Sequence, residues 1–298
     1  AMLSVTGEML LTAKGGTLVS RLKKLSDELA EADQEGGTTY LDDCCNALSS
    51  ERLMAHRDGD VRLLTSVCLI DLLRVYAPRM PFEDDLTKRV FELFVSQLRG
   101  VEDVESPSYT RYTYLLERLA MSNACVLIID LECDDLLRSL FETLFVSISP
   151  KYNQTHTEGF MLLILAPILD DIEVIPPAVL DAVLENFVEP QRTERPAGYE
   201  LARKLVRRCH RRVAGPIAKF LGACLPNSSE AGSESGLHDD WAGLLYEMTC
   251  LDVELCAPLL QQVLDVLQME DEQSRVQGTE LLGRLFCTPE VARQIPQL

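Results

Sequence analysis

The strongest constraint on this chain is its rhythm. Across 298 residues, apolar side chains return every three or four positions, the repeat of one face of an α-helix. The pattern breaks at Gly36-Gly37, Pro78 to Pro81, Ser106-Pro107, Pro150, Pro176-Pro177, Pro196, Gly215-Pro216, Pro226 to Gly236 and Pro289, intervals one helix long. No alternating strand pattern competes with it. About fourteen helices, paired into hairpins of roughly forty residues, predict an all-α HEAT-repeat α-solenoid, a superhelical stack of antiparallel helix pairs. Residues 1–15 read as an N-terminal extension, with Ala1-Met2 a cloning scar before a native start or an excised fragment. Residues 16–298 read as about six to seven helical hairpins. Within them, 226–236 is expected to be a flexible loop, because it has too little apolar surface to bury.

Composition narrows the function. Apolar residues make up 47% of the chain and aromatics only 6%, which suits aliphatic helix packing better than a sheet sandwich. With 28 basic residues against 47 acidic ones the net charge is −19, which disfavours direct nucleic-acid binding and favours basic partners. The ten cysteines are scattered over apolar helix faces and read as reduced, buried small hydrophobes. No Cys and His residues stand at zinc-ligand spacing, so no metal site is expected. The longest apolar run, Phe160 to Leu169, is about half a membrane span. No signal-peptide pattern opens the chain, and the expectation is a soluble, intracellular protein.

Catalytic signatures are missing. There is no P-loop, no GxGxxG after a strand and no HExxH, and Gly232 to Gly236 puts Glu234 where a nucleophile elbow needs Ser. The acid pairs Asp84-Asp85, Asp134-Asp135 and Asp170-Asp171 read as solvated groups at helix starts or loops. The chain is therefore expected to be a binding scaffold with no enzymatic activity and no required cofactor.

Two segments stand out as candidate sites. From Asp58 onward, an N-cap acid leads into Val61, Leu64, Val67, Cys68, Ile70, Leu72 and Val75 on one apolar face, with Arg62, Asp71 and Arg74 outside it. Pro78 and Pro81 then stop the helix and stiffen a corner running Tyr76, Ala77, Pro78, Arg79, Met80, Pro81 and Phe82. Such a corner can be a plain loop that turns one repeat into the next; a peptide docking on it would bury an aromatic anchor against Tyr76, Met80 and Phe82. The second segment is an expected helix from Tyr199 to Val213, whose Arg203, Lys204, Arg207, Arg208, Arg211 and Arg212 share one face at helical spacing. In so acidic a chain this face is a candidate for phosphate, an inositol polyphosphate or a DNA backbone, set against a plain solvated face. A weak internal echo links Asp60-Val61-Arg62 to Arg275-Val276, which leads into Leu281, Leu282, Leu285 and Phe286.

His56 to Phe82, Gln97 to Pro107, Arg111 to Glu117 and Leu140 to Phe145 together resemble, in order and spacing, the N-terminal part of the cohesin-associated sister chromatid cohesion proteins, the precocious dissociation of sisters family. The likeness is clear from about residue 50 to 150 and continues more thinly through Leu180 to Val188 and Tyr199 to Leu205. It implies a nuclear, chromosome-associated, non-catalytic regulator of the cohesin ring. Implied partners are cohesin subunits, the wings-apart-like releasing factor, and sororin- or haspin-like short linear motifs docking on the proline corner. In that family the corner reads YAP-acid-APY, whereas here Arg79 replaces the acid, Met80 a small residue and Phe82 a Tyr. If the likeness reflected repeat composition alone, a generic HEAT scaffold for nuclear transport or phosphatase assembly would remain, or an anion- or DNA-binding solenoid. The chain itself is expected to be monomeric.

Overall fold

The computed structural model describes residues 3–32, 38–149, 154–226, 237 and 239–294, and every regular element among them is helical. Gly36-Gly37, Pro150, the segment 227–236 and the C-terminal residues 295–298 lie outside the described residues. The chain divides into two compact units, residues 1–168 and 169–298.

The first unit is built around one helix. Helix α5 (Gly59–Tyr76) has thirteen of its eighteen residues buried, so it is enclosed on all sides instead of presenting a single apolar face. It packs on α2 (Gly15–Ala30), α3 (Asp42–Leu48), α4 (Glu51–Met54), α6 (Asp84–Leu98) and α7 (Tyr109–Ser122). All seven apolar residues read from the sequence are in this core. So is Asp71, expected outside it, at 0% exposure. Asp71 accepts a hydrogen bond from the Tyr114 hydroxyl at 2.9 Å and lies 3.4 Å from Arg118 Nε and 3.8 Å from Arg74 Nε. Arg118 in turn lies over the Tyr114 ring. Arg74 donates to the carbonyls of Leu29 (2.9 Å) and Ala32 (3.0 Å), closing the C-terminal end of α2. The buried carboxylate therefore ties α5 to α7, and Arg74 beside it ties α5 to α2.

Helix α1 (Gly7–Thr12), inside the expected extension, packs on α3 and buries Leu10. The Gly7 amide donates to Asp43 Oδ2 at 2.6 Å, an approach that leaves no room for a Cβ. Helix α8 (Leu127–Asp130), α9 (Asp134–Ser147) and the first part of α10 (Gln154–Asp171) complete the unit.

The second unit contains α11 (Pro177–Leu184), α12 (Gln191–Glu194), α13 (Pro196–Arg208), α14 (His210–Cys224), α15 (Trp241–Leu251), α16 (Val253–Val266), α17 (Glu272–Cys287) and α18 (Pro289–Gln294). Pro177, Pro196 and Pro289 open their helices, where a missing N–H costs nothing. Gly215-Pro216, expected as a break, lies inside α14, because helix ends are decided by packing as well as by proline. This unit has its own buried acid, Glu247, which accepts from the Tyr199 hydroxyl and from Arg192, both at 2.8 Å.

The described residues hold eighteen α-helices against the expected fourteen, since single turns such as α4 and α8 leave no proline or glycine mark. The echo between the two segments has a common geometry. Asp58 and Asp271 are side-chain N-caps, and the Arg four residues on, Arg62 or Arg275, donates back to two carbonyls of the incoming loop. Phe286, expected on the apolar face, is 54% exposed. Seven of the ten cysteines are buried, and burial pushes the thiols of Cys45 and Cys125 up to about 12, so these two are inert packing groups.

Burial raises the Asp71 carboxyl above its ordinary value of 3.8, outweighing Tyr114, Arg118 and Arg74, which act to lower it. The native state thus binds this proton more tightly than the unfolded chain, and stability falls as pH rises from about 3.8 to the folded pKa. Urea melts across that interval should show this fall in the wild type and a flatter profile in Asp71→Asn. Asp71→Ala, which leaves the two Arg and the Tyr hydroxyl without their carboxylate, is expected to cost about 2 kcal/mol at neutral pH.

Candidate functional site

The corner follows from local chemistry. Ala77, which precedes proline, leaves the helix at ψ 140°, and its amide closes α5 by donating to the Leu73 carbonyl. The chain then crosses to Glu83, and the acids Asp84 and Asp85 occupy the first turn of α6, where the helix dipole favours them. Asp134 and Asp135 do the same for α9. Asp170 and Asp171, by contrast, fall in the last turn of α10, and Arg212 covers that end by donating to the carbonyls of Leu169 and Ile172.

A groove of about 330 Å³ runs beside the corner. One wall is Leu73 and Arg74 of α5 with Ala77, Pro78, Arg79 and Met80. The other is Ser122, Asn123, Ala124, Val126 and Leu127, where α7 ends and passes through a short 3₁₀ turn into α8. Asn123 makes that sharp turn possible: it caps α7 in the left-handed region at φ 53°, which asparagine tolerates better than most residues. Leu127 is 39% exposed, so the far wall offers apolar surface to solvent.

Four of the seven corner residues, Ala77, Pro78, Arg79 and Met80, line the groove. Tyr76, Pro81 and Phe82 do not. Tyr76 faces α3 instead, donating its hydroxyl to Asp42 Oδ1 at 2.6 Å, and burial together with this bond raises its pKa. It fastens the corner to the body of the unit. Phe82 is half-buried, and its carbonyl accepts from the Thr87 hydroxyl. The walls of this groove are mainly aliphatic, formed by Leu73, Met80, Val126 and Leu127. Its second wall lies more than forty residues downstream of the corner, and no local pattern announces it.

The basic helix is corrected as well. Cys209 separates α13 from α14, so the six cations do not share one continuous helical face. Arg203 pairs with Glu200 at 2.9 Å and lies over Tyr199, and Arg212 is engaged with α10. Lys204 is exposed, as are Arg207, Arg208 and Arg211.

The helical units, with their buried acid clamps and a groove at a rigid corner, define a helical-repeat scaffold of the HEAT class. The chain belongs to the sister chromatid cohesion protein PDS5 family, whose profile matches residues 16–298. It is 31% identical over 274 residues, 90% of its length, to sister chromatid cohesion protein PDS5 homolog B-B of Xenopus laevis, and 30% identical over 274 residues to PDS5 homolog A of Mus musculus. Homolog A of Danio rerio is 32% identical over 241 residues. The chain spans only 18–20% of the length of these relatives. A solved structure of the Pds5–Scc1 complex superposes with a TM-score of 0.73 at 26% identity, covering 91% of this chain and 42% of the other.

Tyr76→Phe should lower stability by about 1 kcal/mol, the worth of one part-buried hydrogen bond, as read by thermal or urea melts.

Proposed function

We propose that this chain is the peptide-docking part of a non-catalytic regulator of the cohesin ring, acting on chromosomes in the nucleus. Membership of the PDS5 family and likeness to the Pds5–Scc1 complex support a cohesin subunit as partner. The observation that carries the docking role is the groove itself, with one wall made rigid by Pro78 and the other carrying exposed Leu127. A short unstructured motif of a release or maintenance factor, of the wings-apart-like, sororin or haspin kind, would seat an apolar side chain against Met80, Val126 and Leu127. Such an anchor concentrates affinity in a few contacts, and the pre-set walls reduce the ordering cost of binding.

Direct DNA binding fits poorly with a net charge of −19 and a basic helix broken at Cys209. The anion site read from the sequence contracts in this proposal to the exposed Lys204, Arg207, Arg208 and Arg211.

Calorimetry with a releasing-factor peptide is expected to show Met80→Ala combined with Leu127→Asp weakening binding by about tenfold or more, while Phe82→Ala has little effect. Unchanged affinity in the double variant removes the groove from the proposal. Affinity purification from nuclei with the full-length protein should recover ring subunits, and losing the peptide partner alone in the double variant separates the two contacts.

A further inference from the structure

The charge of the groove runs against the charge of the chain. In a protein with 47 acids and 28 bases, its eleven lining residues include two guanidiniums, Arg74 and Arg79, and no Asp or Glu. Arg79 is exposed, and among the described residues its side chain has no ion-pair partner. Arg74 is held in place by the α2 carbonyls it caps. Asp71, whose carboxylate lies 3.8 Å from Arg74 Nε, is fully buried, lies closer to Arg118, accepts from Tyr114 and does not line the groove. Between the two cations lies an aliphatic surface of Leu73, Met80, Val126 and Leu127.

Resting on the proposal that this groove takes a linear peptide, we infer that it selects motifs carrying a carboxylate beside their apolar anchor and rejects motifs carrying a cation there. A ligand carboxylate beside Arg79 gains a charge-assisted hydrogen bond at the edge of a low-dielectric surface. A ligand Lys or Arg in the same place meets a like charge with no acid to receive it, which is how specificity is built by repulsion. Acids outside the lining act on a ligand there through solvent, where their field decays over about 8 Å at physiological salt.

The test is an array of short peptides probed with the purified chain, each with one Phe, Tyr or Leu anchor and one Glu, Gln or Lys at varied distance from it, followed by anisotropy on the best binders. Glu peptides should bind about three- to tenfold tighter than their Gln counterparts, and Lys peptides more weakly than either. Arg79→Gln should level the series and Arg79→Glu should invert it; because Arg79 is exposed, both variants should fold. Anchored peptides that bind with equal affinity whatever their charge, or an order unchanged in Arg79→Glu, overturn the acidic preference while leaving the docking site intact. An array with no anchor preference, together with Leu127→Asp behaving as the wild type, removes the docking site and the inference together.

Discussion

A carboxylate with no access to water has to find its compensation inside the protein, and Asp71 finds it in a Tyr and two Arg from its own and a neighbouring helix. That requirement organises the first unit. Hydrophobic burial alone would let α5 rotate or slide against α2 and α7 at modest cost, since aliphatic contacts are not directional. The Asp71 cluster admits few registers, because the Tyr114 hydroxyl must reach hydrogen-bonding distance while Arg118 and Arg74 come within ion-pair range, and Arg74 adds the end of α2 to the same arrangement. The second unit repeats the solution with Glu247, Tyr199 and Arg192.

The groove is a by-product of that register. Its near wall is the end of α5, which leaves the helix where proline forces it to, and its far wall is the cap of α7, the helix that supplies Tyr114 and Arg118. Tyr76 fixes the corner from behind through Asp42. The clamp and the groove therefore share helices: whatever sets α7 against α5 also sets the width of the groove. In the proposed docking role such a platform would suit partners that arrive unstructured, because the rigid side of the contact has already lost its freedom.

Much of the fold was legible in the sequence. The 3.6-residue period, the N-cap Asp58, the breaks at Pro176-Pro177 and Pro196 and the stop at Pro78 are local features, and the structure places a helix boundary at each of these positions. The misreadings share one cause. Asp71 looked like a surface residue because polar groups usually mark the solvent face, yet a helix enclosed on all sides has no such face. Tyr76 looked like part of a binding pocket because it adjoins the prolines, yet its hydroxyl was satisfied by a residue more than thirty positions away. The basic stretch looked like one face because spacing was counted through Cys209, where the helix ends.

By itself, then, the sequence determined that the chain is helical, where most long helices begin, and that a stiff corner lies between Tyr76 and Phe82, since all of these follow from backbone sterics and short-range hydrogen bonding. Tertiary structure alone decided that Asp71 is a core residue, that Tyr76 is a fastener, and that Ser122 to Leu127 complete the groove. Those outcomes depend on contacts between residues thirty to fifty positions apart, which form only when packed helices bring distant segments together and exclude water between them.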